Sequence, residues 1–147
     1  MPYITTERKQ ELEDGARLAS TGDLNYVLTS VACRYLNLRG LRYEYQNEIT
    51  EAFDYAIDKA RATRQRYKGM LVSRVRRSQT PTNAYEMEEI FLALVEEFRR
   101  EGYSKGFIGA LRNAQFEFYR RVSRPYEDLK IAQNGDVYPT ALTGEDK

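Results

Sequence analysis

A chain of 147 residues is close to the usual size of one domain and long enough to bury one continuous core. Its 41% hydrophobic and 31% charged residues are the composition of a folded globular protein, and 23 basic against 22 acidic side chains exclude a global field that would steer it to nucleic acid or membrane. A single cysteine, Cys33, excludes an internal disulfide, and the absence of histidine removes the commonest general base and metal ligand together.

In chain order, 5–14 predicts a short helix with Thr5 or Thr6 as its cap, followed by a loop punctuated by Gly15 and Ser20-Thr21-Gly22. Residues 1–21 hold no apolar run of the kind a leader needs. No stretch approaches the roughly 18 apolar residues of a membrane span, so no membrane association and a cytoplasmic setting are expected. A second helix is expected from near Asp23, where Leu24, Val27, Leu28, Val31 and Tyr35 keep the spacing of an amphipathic stripe, and Gly40 ends it. Cys33 falls within it and reads as a small buried hydrophobe.

The third pattern is the cleanest. Ile49, Ala52, Phe53, Ala56, Ile57 and Ala60 hold the helical period, and Tyr67, Met70, Leu71 and Val75 continue the phase, predicting a helix over 46–77 about 50 Å long. Pro81 breaks the chain, and Asn83 with Glu86 makes a capping box ahead of a stripe of Met87, Ile90, Phe91, Leu94, Val95 and Phe98 that stops at Gly102. Ser104 is expected to cap a fifth helix carrying Ile108, Leu111, Ala114, Gln115, Phe118 and Val122, with Pro125 closing it. Beyond it, 126–132 predicts one more short helix stopped at Asn134-Gly135, then an extended piece and a polar tail. Gly106 and Gly109 suit close helix packing. Ala52, Phe53 and Ala56 recur as Ala110, Leu111 and Ala114 at constant offset, the trace expected of a duplicated helical hairpin.

The expected fold is therefore all-α: a single domain, 1–147, forming a helical bundle of two antiparallel helical hairpins (22–77 and 83–124). A short N-terminal helix precedes them and a bent C-terminal arm and tail (125–147) follow.

Between Lys59 and Tyr85 there is no acidic residue, while Lys59, Arg61, Arg64, Arg66, Lys68, Arg74, Arg76 and Arg77 are all basic. Such a helix suits phosphates or an acidic protein surface; equally, it is a solvated face paired with glutamates nearby. An acidic stretch follows, with Glu86, Glu88, Glu89, Glu96, Glu97 and Glu101. A magnesium site in a helical bundle needs inward carboxylates on two neighbouring helices. Glu89 and Glu96 find no such partner pair, and Glu51, Asp54 and Asp58 point off their helix's apolar stripe, so neither metal nor cofactor is expected. No serine stands in a nucleophile elbow, no glycine-rich phosphate loop is present, and Cys33 has no histidine to activate it, so no catalytic residue is assigned.

The stretch 116–138 packs aromatics, arginines and acids most densely. Arg120 and Arg121 are expected to pair with Glu127 and Asp128 across the Pro125 bend. The alternative is a polar ligand pocket drawn from Arg120, Arg121, Tyr126, Glu127, Asp128 and Asn134. On Phe107-Ile108-Gly109-Ala110-Leu111, Glu117-Phe118-Tyr119-Arg120-Arg121-Val122, Pro125-Tyr126-Glu127-Asp128 and 134–138, the chain resembles a small uncharacterised family of phages and prokaryotes. Tyr3-Ile4-Thr5 and Gly22-Asp23-Leu24-Asn25-Tyr26 fit the same pattern, and the middle resembles an insertion relative to it. The resemblance implies a viral or mobile-element origin and no mechanism. The leading expectation is a non-catalytic interaction protein binding a host or viral macromolecule, with Arg61, Arg64, Arg66, Lys68, Arg74, Arg76 and Arg77 as candidate contacts. A nucleic-acid-binding module using those same residues and a small-molecule or nucleotide binder using the C-terminal cluster are the alternatives. Abundant tyrosine makes a homo-oligomer an expected state.

Overall fold

Each apolar stripe becomes one wall of a common core. In a computed structural model of the chain, residues 4–62, 79–102 and 105–135 are described, and every regular element among them is helical: α1 (Thr6–Glu13), α2 (Thr21–Arg39), α3 (Tyr43–Ala62), α4 (Ala84–Arg100), α5 (Phe107–Phe118) and α6 (Arg124–Asn134). Every described residue of the stripes predicted for α2, α3 and α4 is buried, and Leu111, Ala114 and Phe118 carry α5 into the same core. At its centre Phe53 of α3 stacks on Phe91 of α4, ring centroids 4.3 Å apart and planes 19° from parallel. All six positions related by the constant offset, Ala52 to Ala56 and Ala110 to Ala114, are buried.

The architecture is a helical bundle whose most extensive packing is α2 on α5 and α3 on α4, with thinner contact between α2 and α3 and between α4 and α5. α2 and α5 run in the same direction. Gly106, ahead of α5, abuts Thr21 at the head of α2, while Arg121 past the end of α5 lies beside Cys33 in the second half of α2. Gly106 is required there twice over: its φ of 90° is left-handed, and a Cβ would fall 2.7 Å from the Thr21 methyl. Gly109, by contrast, faces open space and has no packing role.

Four sequence expectations change. α3 begins at Tyr43 rather than 46, and the proposed continuation to 77 lies outside the described residues. The cap position of α5 is Gly106, with no side-chain cap; Ser104 is outside the described residues. Pro125 does not close the helix. The chain passes from α5 through a π turn (Tyr119–Ser123), in which the Arg124 N–H donates to the Tyr119 carbonyl, and Pro125 sits in the first turn of α6. A proline is tolerated there because the wider turn has already broken the α-helical hydrogen-bond register its missing N–H would have disrupted. Lastly, Cys33 is half-buried, and that burial pushes its thiol upward.

The ends of the helices are tied by side chains. Asn83 accepts from the Glu86 N–H at 2.9 Å, and Glu86 reaches back to Thr82, accepting from its hydroxyl at 2.6 Å and its N–H at 3.3 Å. Asn83→Ala is expected to lose about 1 kcal/mol in urea unfolding, with Asn83→Asp close to wild type. The corner between α2 and α3 is held by the buried Tyr35, whose hydroxyl donates to Glu48; burial and that carboxylate push the phenol up to about 12.

A larger tie was not visible beforehand. Asp23, 4% exposed at the start of α2, accepts from Arg8 Nε at 3.2 Å and Nη2 at 2.5 Å, and from the Ala19 N–H at 2.9 Å. Arg8 Nη2 also donates to the Arg17 carbonyl at 2.8 Å. One bidentate pair thus fixes α1, the 14–20 loop and α2 to one another.

Candidate interaction surface

Four aromatic side chains gather where α3, α5 and the arm meet. Tyr43 opens α3, and its ring meets that of Tyr126 in α6 edge to face, centroids 4.8 Å apart. Tyr119 in the π turn donates a long hydrogen bond of 3.4 Å to Glu127, whose carboxylate also bears on Tyr43. Phe116, one turn before Tyr119, shares with it a shallow recess against Thr50 of α3. Gln115 locks that floor, donating to the Thr50 carbonyl at 3.1 Å and to Asp54 at 2.9 Å.

These rings are not spent on the core. Phe116 is 65% exposed, Tyr43 45% and Tyr119 44%, with Leu41 at 48% two residues before Tyr43. Scattered exposed apolar groups are ordinary, but a cluster of aromatics seated on a fixed floor is the composition of contact surfaces. Tyr119 opens the π turn that links Phe116 of α5 to the arm carrying Tyr126. Burial and Glu127 together push the Tyr43 hydroxyl above its ordinary value, so it stays a neutral donor at physiological pH.

The expected ligand cluster does not assemble as predicted. Arg120 and Arg121 do not reach across to Glu127 and Asp128; both hold Glu117, one turn back, Arg120 Nη2 at 3.2 Å and Arg121 Nε at 2.7 Å. The reason is the absent break at Pro125. With helix continuing, Glu127 is about two turns beyond Arg120, whereas Glu117 is at i−3 and i−4. Glu117 is 8% exposed, and the Arg121 hydrogen bond, against the opposing pull of burial, holds its carboxyl below the usual range. Tyr126 and Glu127 join the aromatic face, whereas Asp128 is exposed and Asn134 stands at the exposed C-terminal end of α6.

Of the basic run, Arg61 is exposed at the end of α3 and Lys59 lies 5.5 Å over the Tyr55 ring; Arg64, Arg66, Lys68, Arg74, Arg76 and Arg77 lie outside the described residues. The acidic stretch is largely engaged locally. Glu96 is buried and meets Arg100 at 3.4 Å, Glu101 meets Arg17 at 3.6 Å, and Glu86 serves the cap. Among the described residues no three acidic or thiol side chains converge on a point, and no helix is long and apolar enough to cross a membrane.

Sequence reasoning missed Tyr43, Phe116 and Tyr119. Their signal was position: Phe116 and Tyr119 flank the Leu111, Ala114, Phe118 stripe instead of lying on it.

The model of one protein family, domain of unknown function (DUF6899), matches residues 1–81 and 71–137, so between them the two matches also take in the middle of the chain, and the protein belongs to that family. No curated protein and no solved structure matches the chain.

Proposed function

We propose that this family member is a non-catalytic interaction protein that docks a macromolecular partner, a host or viral protein, on the aromatic face of Tyr43, Phe116, Tyr119 and Tyr126. The observation that carries the reading is the clustering of these rings, three of them more than 40% exposed, on a floor that Gln115 locks to α3. Aromatic side chains bring large contact area with few rotatable bonds, so little ordering entropy opposes binding. The reading includes a phage or prokaryotic origin and action in the host cytoplasm, both resting on the sequence resemblance, and it leaves room for a second copy of the chain as partner.

The test is paired capture of binding partners from host lysate with wild type and with the double variant Phe116→Ser, Tyr119→Ser. Both substitutions are at exposed positions, so stability is expected to stay within about 0.5 kcal/mol of wild type for each. A protein retained by wild type after nuclease treatment and lost by at least tenfold in the variant is the expected result. Equal retention by both chains excludes the aromatic face, and material lost only with nuclease returns the assignment to nucleic acid through the basic run.

A further inference from the structure

Along the seam between α2 and the α5–π junction lies a groove of about 280 Å³, distinct from the aromatic face. Its α2 wall includes Asn25, Thr29 and Cys33, which recur at helical spacing along one side of α2. Small polar side chains at these positions leave space where larger apolar ones would have closed the seam.

Two cations border the groove. Arg121 is oriented by the buried Glu117, which takes its Nε at 2.7 Å; among the described residues its terminal nitrogens make no hydrogen bond. Lys9 lies 5.8 Å over the Tyr26 ring and forms no ion pair among the described residues. Glu117 is the one acid of the lining and is already committed to Arg120 and Arg121, so positive charge is in excess at the groove. The rest of the lining is Ile4, Gly22, Ser30, whose hydroxyl donates to the Tyr26 carbonyl at 2.8 Å, and the ring of Tyr26, whose hydroxyl is held by Glu13 at 2.9 Å.

We propose that this groove binds a small organic anion, one carboxylate on an apolar body, with Lys9 and Arg121 meeting the carboxylate and Ile4 and Tyr26 covering the body. A pre-oriented guanidinium is the group suited to a planar carboxylate. The apolar part of the lining favours a carboxylate on an apolar body over inorganic phosphate. Asn25 and Thr29 supply polar contacts that fix orientation, and the volume is at the small end of ligand sites.

The experiment is a heteronuclear NMR titration of the full chain with benzoate, its neutral analogue benzamide, and inorganic phosphate. Benzoate is expected to shift the amides of Asn25, Thr29 and Cys33 saturably, with benzamide and phosphate each roughly tenfold weaker. Lys9→Gln and Arg121→Gln are expected to weaken benzoate several-fold and leave benzamide unchanged, while Arg121→Lys, which keeps the charge, retains part of the affinity. No saturable shift with benzoate overturns the site. Equal affinity for benzamide overturns the role of charge, and equal affinity for phosphate overturns the role of the apolar body. Partner capture is read separately, so either proposal fails without the other.

Discussion

Phe53→Ala is expected to cost roughly 3–5 kcal/mol of folding stability and to lower the thermal midpoint by on the order of 10 °C. Phe53 is fully buried, stacks on Phe91 at 4.3 Å, and lies between Ala52 and Ala56, which have no side-chain length with which to refill the space. The cost therefore combines lost transfer energy with a persistent cavity. Phe53→Leu keeps most of the volume and is expected to cost less than half as much. Urea denaturation of both variants checks the pair. Equal, small losses would mean that α3 and α4 are not packed through these rings.

The second large effect is expected at Asp23. Asp23→Ala leaves the Arg8 guanidinium without its bidentate partner and the Ala19 N–H without its acceptor, a loss of roughly 2–4 kcal/mol at neutral pH. Its pH dependence has a definite sign. Burial works to raise the Asp23 carboxyl, but the Arg8 hydrogen bonds, the Ala19 N–H and the Ser20 hydroxyl outweigh it and hold the carboxyl below its ordinary value of 3.8. A depressed folded value means that the stabilisation is complete above about pH 4 and is lost as pH falls through the folded value. Glu117 is depressed as well but is present in both chains, so the difference between wild type and Asp23→Ala isolates Asp23. That difference is expected to be constant from pH 5 to 7 and to narrow below about pH 4 in urea melts. A difference that widens on acidification would contradict the assignment.

How far the fold could be read beforehand follows from which signals are local. Stripes such as Ile49, Ala52, Phe53, Ala56, Ile57 and Ala60 are repeated along one helix, so a period alone identifies the buried side, and every one of them is buried. The Asn83–Glu86 cap is likewise a contact three residues long. The Arg8–Asp23 pair spans a loop and two helices, and nothing in the spacing of an arginine and an aspartate fifteen positions apart announces it. Packing of α2 on α5 joins elements at opposite ends of the described bundle, where a local rule favours sequential hairpins.

The candidate site was legible in its composition and misread in its geometry. The stretch 116–138 was singled out, and Tyr126 and Glu127 do belong to the aromatic face. Arg120 and Arg121 pair elsewhere than a proline stop would place them, because a first-turn proline costs a helix little. With helix continuing past α5, those arginines fall back on Glu117, and Phe116 and Tyr119, off the apolar stripe, are exposed. Tyr43 was unreadable as a site residue because only its contact with the arm, more than 80 positions away, gives it that role.

The most direct measurement of the central claim is site-specific photocrosslinking in host cells, with p-benzoylphenylalanine placed at position 116 in one chain and at the exposed position 58 on α3 in another. The account predicts a discrete adduct of one partner from position 116, lost with Tyr119→Ser, and none from position 58. Equal labelling from the two positions, or no adduct from position 116, would contradict it.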